Sequence, residues 1–547
     1  MDLPVPELAE RADACAGRLL AADRVLLASH IDADGLTSAA VAASALERAR
    51  IPFEVVFEKQ LDDAGIERIA NTAYETVWFT DFGSGQLETI RAHEDDGSFT
   101  PIIADHHQPA DVDTEFHCNP LLEGIDGASE LSGSGTAYLI ARAMAEREPT
   151  MRATKTDKME SETLESETLE SETSESETLE SETSESETSE SETTETSPTA
   201  TDGGVVTREK PARGGTVATT ARPDNRDLAA LAVVGAVGDM QASSGELHGA
   251  NAAIVEEGVA AGVIETGPDL AIYGTQTRPL PKLLEYATDV YVPGISNDQA
   301  GAMRFLDGLD LDLRDGAGEW RTWADLTPPE RQTVASALLK RAVRRGVPPS
   351  KIDELVGTAY HLAAEAPGTE LRDASEFSTL LNATARYDRA DVGLAVCLGD
   401  RDEALARARH LLQSHRRNLS TGIDLVTTEG VTREEHLQWF HAGDRIRETI
   451  VGIVAGMALG NDGVDRDRPI VAFAEKADES EEVKVSARGT HTLVRRGLDL
   501  SVVLGEAARS VDGDGGGHDV AAGATVPAGR EEEFLELANA MVGEQIG

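Results

Sequence analysis

The sequence predicts an α/β protein: a parallel sheet with helices on both faces, a helical connecting region, and a small C-terminal α/β domain. Three observations carry this expectation. Before residue 150, short β-prone apolar runs alternate with helical stretches, as a parallel sheet covered by helices requires. Residues 325–450 are charged and amphipathic at helical spacing. Residues 470–475 and 482–487 look like two paired strands, and two helical segments follow them.

In chain order, residues 24–28 form the first short apolar strand, and residues 37–50 an alanine-rich helix. Residues 53–57, 76–80 and 101–104 are further strands. Residues 161–195 are seven Ser-Glu-Thr-x-Glu pentads, whose high charge and low hydrophobicity cannot offset the entropy of ordering, so disorder is expected there and in the flanks to about residue 222. The favoured role is a dispensable surface insertion, since long surface loops are tolerated. Residues 227–237 are a buried apolar segment, helix or strand. Residues 499–510 and 530–543 are the two C-terminal helices. The domain boundaries follow: 1–150 and 226–310 as two parts of one α/β domain, 151–225 as an insertion, 311–455 as the helical connection, and 456–547 as the C-terminal domain.

At 547 residues with 40 % hydrophobic content, two or three well-filled cores are expected. No apolar run reaches the length of a membrane span, so no membrane partner is expected. The first twenty residues lack a basic region before their apolar part and do not read as a signal peptide. Cys15, Cys118 and Cys397 are far apart, which excludes a disulfide framework and fits a reducing cytoplasm. The net charge is −50; without the 14 Glu of the pentads it is still −36, so acidity is general. Of 49 basic residues only 9 are Lys. Acidic excess with little lysine suits a salt-loaded cytoplasm, where the Debye length is about 3 Å at 1 M salt and short contacts decide binding to a polyanion.

Four apolar segments run into acids and imidazoles. The first strand leads into Ser29-His30-Ile31-Asp32-Ala33-Asp34-Gly35, another ends at Thr80-Asp81, a third at Ala104-Asp105-His106-His107, and residues 227–237 lead into Gly238-Asp239. Ligands bind outside the carboxyl ends of strands in open parallel sheets, so these residues are expected to converge. Crowded carboxylates repel one another unless cations lie between them. Carboxylates suit Mg²⁺ and Mn²⁺, and the added imidazole favours Mn²⁺. Capping explains one strand-end aspartate; it does not explain four in register.

Asp105-His106-His107 resembles the signature that names the DHH phosphoesterases, and Asp32-x-Asp34-Gly35, Asp81 and Asp239 resemble their first, second and fourth motifs. The resemblance implies that Asp32, Asp34, Asp81, His106 and Asp239 hold two divalent cations, with Asp34 or, preferably, Asp81 bridging them. It also implies that His107, with Asp105, serves the reaction by facing the substrate phosphate. Many relatives place a further histidine ligand four residues before the first aspartate. That position is Ala28 here, and His30, two residues before, is the candidate instead.

The run 515–524, with Gly515-Gly516-Gly517-His518 and Ala521-Ala522-Gly523-Ala524, resembles the glycine-rich loop of the DHHA1 domain. Glycines let backbone amides approach a phosphate, as a nest or helix N-terminus would, and His518 adds a donor. Ser486 and Arg488 resemble the family's substrate-contacting pair, so Gly516, Gly517, His518, Ser486 and Arg488 are candidate substrate contacts. Among the basic clusters, Arg416-Arg417 is the one expected to touch nucleic acid, with Arg416 the candidate contact. Residues 279–295 and the block around Asn382 extend the resemblance to archaeal RecJ-like single-strand exonucleases over nearly the whole chain outside the insertion. The activity this implies is metal-dependent cleavage of single-stranded DNA or RNA in repair or replication. A phosphodiesterase on short oligonucleotides or cyclic dinucleotides, and a replisome scaffold of Cdc45 type, are the alternatives; replisome proteins are the possible protein partners.

Overall fold

The computed structural model describes residues 3–147, 223–243, 245–287, 290–461, 463–476 and 481–547. The pentad repeat and its expected disorder lie outside the described residues. The N-terminal lobe runs α1 (Ala9–Ala21), β1 (Val25–His30), α2 (Ala33–Ala49), β2 (Phe53–Glu58), α3 (Asp63–Ala70), β3 (Thr76–Thr80), α4 (Leu87–Asp95), β4 (Thr100–Ala104), β5 (His117–Cys118) and α5 (Gly133–Glu146). The five strands are parallel in the order β2-β1-β3-β4-β5. Chain direction across the sheet reverses between β1 and β3, which opens a crevice at their carboxyl ends. That crevice is where His30 and Asp81 emerge.

After the insertion come α6 (Ala229–Gly238) and α7 (Gly249–Ala260). Residues 229–238 are apolar on every side, the pattern of a fully enclosed helix. α6 packs against α2 and α5 in the main core. The segment leading to Asp239 is therefore a helix; of the four expected metal-bearing endings, three belong to strands and one to a helix C-terminus. α2 also begins earlier than residue 37, because Asp32 caps it by accepting a hydrogen bond from Gly35 N at 3.0 Å.

The connecting region holds β6 (Ile264–Leu270), α8 (Leu280–Glu285), α9 (Gln299–Asp307), α10 (Pro328–Arg344), α11 (Pro349–Asp353), β7 (Val356–Leu362), α12 (Ala374–Arg386), α13 (Ala390–Cys397) and the 27-residue α14 (Glu403–Glu429). It is not wholly helical: β7 pairs antiparallel with β6, closing a separate core around Leu283, Trp323 and Leu338. The C-terminal unit contains β8 (Thr432–Arg433), β9 (Gln438–His441), α15 (Val451–Ala458), β10 (Ile470–Glu475), β11 (Glu482–Arg488), α16 (His491–Arg495), α17 (Leu500–Ser510), β12 (Asp514–Gly517), β13 (Ala521–Pro527) and α18 (Glu531–Ile546). Its sheet order is β12-β13-β11-β10-β9-β8. The boundary expected at 455/456 falls inside α15, and β8 and β9 upstream of it already belong to this sheet.

Candidate metal centre

The backbone brings His30, Asp32, Asp34, Asp81, His106 and Asp239 into one crevice. Three sets of donor atoms each gather within 4.8 Å: His30, Asp32 and Asp81; Asp34, His106 and Asp239; and Asp81, Asp105, His106 and His107. Asp81 faces both of the first two sets. Its Oδ2 lies 3.4 Å from His30 Nδ1, and its Oδ1 lies 3.3 Å from His106 Nε2. Oδ1 is buried and has no hydrogen-bond donor among the described residues. Asp81 also has φ +63°, a left-handed conformation that aspartate tolerates better than most residues. His30 Nδ1 also lies 3.3 Å from Asp32 Oδ1, so its position two residues before Asp32 still brings the ring into the crevice.

Asp34 is anchored from behind. Gly133 N donates to its Oδ2 at 2.7 Å and Ser134 N to its Oδ1 at 3.0 Å, both from the first turn of α5, where the helix dipole favours an anion. Gly235 on α6 lies so near that a Cβ there would stand 2.4 Å from Asp34 Oδ1. His106 donates from Nδ1 to the Gly127 carbonyl at 2.7 Å, which leaves Nε2 turned toward Asp34 and Asp81. Gln241 Nε2 bonds both that carbonyl, at 2.9 Å, and Asp239 Oδ2, at 2.8 Å. Asn251 in turn donates to Gln241 Oε1.

Asp105 points away from the opening. Its Oδ1 accepts from His106 N, His107 N and His107 Nδ1, and its Oδ2 from Ser84 N. It thereby fixes the His107 ring, which is 58 % exposed at the crevice mouth. Burial opposes the charge of Asp105, but the His107 bond outweighs that and holds the carboxyl at about 2.

Electrostatics show how crowded the carboxylates are. Burial, then the charges of Asp81 and Asp239, pushes the Asp34 carboxyl well above the usual range. Burial, with Asp81 and Asp32 adding to it, raises Asp239 to about 6 despite His106 beside it. Burial also disfavours ionised Asp81, but His106 and His30 overcome it and hold this carboxyl low. Buried acids that raise one another, an orphaned Asp81 oxygen and two imidazole faces are a donor set that fits divalent cations.

The substrate candidates lie elsewhere. Ser486 and Arg488 share one face of β11, where α15 approaches them: a Cβ on Gly452 would stand 2.6 Å from Arg488 Nη2 and 3.0 Å from Ser486 Oγ. Gly516 and Gly517 are not a nest at a helix N-terminus. They form β12 and pair with Gly523 and Ala522 of β13, and His518 N donates to Ala521 O at the exposed turn. Arg416 on α14 donates to Tyr273 Oη at 2.8 Å. Sequence reasoning missed Gly133, Ser134, Gly235 and Gln241. The alternation Ser132-Gly133-Ser134-Gly135 opening an apolar helix was the available signal, because small residues at a helix start permit close approach by a carboxylate.

Three family models match the chain: the N-terminal domain of the DHH family over residues 24–166, the DHH-CID domain over 272–356, and the DHHA1 domain over 436–544. An uncharacterised protein of Methanocaldococcus jannaschii is 26 % identical over 526 residues, covering 95 % of this chain and 93 % of that one. Among solved structures, RecJ of Thermus thermophilus in complex with Mn²⁺ is similar at TM-score 0.53 and 14 % identity, over 100 % of this chain and 56 % of that chain. This chain thus spans little more than half of the Thermus protein. Exonuclease RecJ bound to manganese gives 0.53 and 15 %, over 99 % and 95 %. CDC45 from Entamoeba histolytica gives 0.59 and 9 %, over 98 % of each chain. At these identities the structural likeness shows the fold alone.

Proposed function

We propose, on the premise that this chain belongs to the DHH family and carries DHH, DHH-CID and DHHA1 domains in that order, that it is a two-metal exonuclease on single-stranded DNA or RNA. The observation that carries this reading is Asp81, whose two oxygens face two separate donor sets. His30, Asp32 and Asp81 would hold one cation, and Asp34, His106, Asp239 and Asp81 the other, with Mn²⁺ preferred to Mg²⁺ for its affinity for imidazole. When bound, such cations supply a water of lowered pKa and offset charge on the phosphoryl oxygens. Asp34 is held by the α5 amides and keeps its place as charge changes around it. His106 presents Nε2 because Gly127 occupies Nδ1. His107, fixed through Nδ1 by Asp105, offers Nε2 to a phosphoryl oxygen and stabilises negative charge that grows there.

The preference for single strands and the place in repair or replication rest on the RecJ likeness, as does the expectation of a polynucleotide partner. A non-catalytic scaffold is favoured by the Cdc45 likeness, which is the stronger of the three in fold. The complete donor set argues against scaffolding as the sole role. No described helix is long and apolar enough to cross a membrane. The acidic, lysine-poor composition suits work at high salt in a cytoplasm. The test is digestion of end-labelled single-stranded oligonucleotides with Mn²⁺, with Mg²⁺ and with EDTA. Stepwise shortening that needs the metal supports the reading. No cleavage of oligonucleotides, with or without Mn²⁺, overturns it, and cleavage confined to dinucleotides favours a short-substrate phosphodiesterase.

A further inference from the structure

Helix α6 ends beside the crevice in a turn built for glycine. Gln241 N donates to Ala236 O at 3.1 Å and Met240 N to Val237 O at 3.1 Å, the paired bonds that close a helix on a left-handed residue. Met240 is that residue, with φ +60°. Glycine commonly fills this place, because a Cβ there crowds the following carbonyl oxygen. Of the seven described non-glycine residues with positive φ, five are Asp81, Asn225, Asn297, Asp388 and Asp512, whose short polar side chains tolerate it. A sixth, Arg50, sets a cation at the C-terminus of α2, where the helix dipole favours one. Met240 has neither reason.

Nor does Met240 fill a core. It is 74 % exposed, more than any other large hydrophobic side chain among the described residues. An apolar side chain thus stands in solvent on a backbone conformation that disfavours it, and the fold gains nothing from it. Its place is nevertheless fixed on both sides. Asp239 precedes it, with Oδ2 3.8 Å from His106 Nδ1. Gln241 follows it, buried and bonded to Gly127 O, Asp239 Oδ2 and Asn251 Nδ2. Consecutive Cα atoms are about 3.8 Å apart, so Met240 begins one residue away from a candidate metal ligand. Within its reach lie only the nucleotides flanking a phosphate held by the donor set. An unbranched thioether is soft and polarisable and packs well against aromatic rings, and every nucleobase has a π face.

We infer that Met240 is a specificity-determining residue: its thioether packs against the base of a nucleotide flanking the scissile phosphate and holds that nucleotide over the donor set. The inference rests on the reading of the protein as a nuclease and adds a contact to the base, where the metal centre meets only phosphate. Such a contact favours nucleotides over other phosphodiesters without selecting a sequence.

The test compares wild type, Met240→Gly and Met240→Leu with Mn²⁺ on two end-labelled single strands, one complete and one abasic at its two terminal nucleotides at each end. On the complete strand Met240→Gly should lose about tenfold in kcat/KM, the scale of one apolar side chain losing its cover. Met240→Leu, which restores apolar bulk, should recover most of that loss. On the abasic strand Met240→Gly should match wild type, because the base that Met240 touches is gone. Two further readouts separate contact from support. The melting temperature of Met240→Gly should not fall, since glycine suits φ +60°. Its Mn²⁺ affinity by calorimetric titration should equal that of wild type, since Asp239 and Gln241 keep their places. A Met240→Gly variant that cuts the complete strand like wild type, loses equally on both strands, binds Mn²⁺ more weakly or melts several degrees lower overturns the inference and leaves the nuclease reading standing. A wild type that cuts neither strand overturns that reading, and the inference with it.

Discussion

Gly133 stands so close to Asp81 that a Cβ at residue 133 would lie 2.4 Å from Asp81 Oδ1 and 2.9 Å from its Cβ. The first turn of α5 thus does two things at once: its amides hold Asp34, and its bare Cα leaves room for Asp81. Gly133→Ala should push Asp81 out of line with His106 while leaving α5 intact, since alanine favours helix. The expected result is Mn²⁺ affinity weakened tenfold or more by calorimetric titration, with the circular dichroism spectrum of the wild type. Unchanged affinity would show that the crevice can shift without cost.

Asp81→Asn isolates the charge. Asparagine tolerates the left-handed φ that Asp81 adopts, so backbone strain is not increased, whereas alanine at +63° would add a cost on the order of 1–2 kcal/mol. The variant should fold, because one carboxylate fewer relieves Asp34 and Asp239, both raised by Asp81. Hydrolysis of labelled oligonucleotides should fall at least a hundredfold, and Mn²⁺ should no longer raise the melting temperature. A variant that cuts like wild type would remove Asp81 from the metal centre.

Much of this centre was legible because a strand has a fixed end. Once residues 24–28, 76–80 and 101–104 are strands of one parallel sheet, the acids that follow them must meet at one edge. Asp239 was legible by motif, although its segment is a helix: an apolar run of ten residues carries no period when every side is buried. β7 was not legible, because Val356–Leu362 pairs with a strand more than eighty residues earlier and lies within a charged, helix-like stretch. The glycine run 515–517 read as a loop, since glycine disfavours strands; its pairing with β13 is imposed by the sheet that receives it. Gln241 left no pattern at all, as its role depends on Gly127 being delivered from another segment.

Gln241 is expected to be a positioning residue for the metal. It ties Asp239 to the same carbonyl that sets the His106 ring, so one side chain aligns two candidate ligands. Gln241→Leu keeps similar bulk and removes both bonds, together with the one that Gln241 Oε1 accepts from Asn251 Nδ2. Loss of such outer contacts commonly weakens metal affinity 10–100-fold, and about that is expected here. Calorimetric titration with Mn²⁺ separates this from a merely structural role: a structural defect would lower the melting temperature without metal and leave the affinity of the folded fraction alone. Gln241→Glu should restore neither bond to Gly127 nor the affinity, because a carboxylate cannot donate to a carbonyl.

Asp373 offers a test of stability away from the metal. It caps α12, with Oδ1 accepting from Ser375 N at 3.0 Å and Glu376 N at 3.1 Å, while Oδ2 lies 3.7 Å from His361 Nε2. Burial is the main cause that raises its carboxyl to about 6, with the charges of Glu376 and Asp269 adding and the two amide bonds opposing. His361 gives little relief, because burial and then Arg372 depress its imidazole. A carboxyl whose folded pKa lies above its unfolded value near 3.8 is best accommodated protonated. Its contribution to stability is full below about pH 4 and is lost as pH rises through about 6. Asparagine keeps the capping oxygen and carries no charge. Asp373→Asn should therefore raise stability at pH 8 by on the order of 1–2 kcal/mol and by nearly nothing at pH 4. Urea unfolding of both proteins at the two pH values measures it. A variant less stable than wild type at pH 8 would mean that the ionised cap, through its interaction with the α12 amides, outweighs the cost of burying its charge.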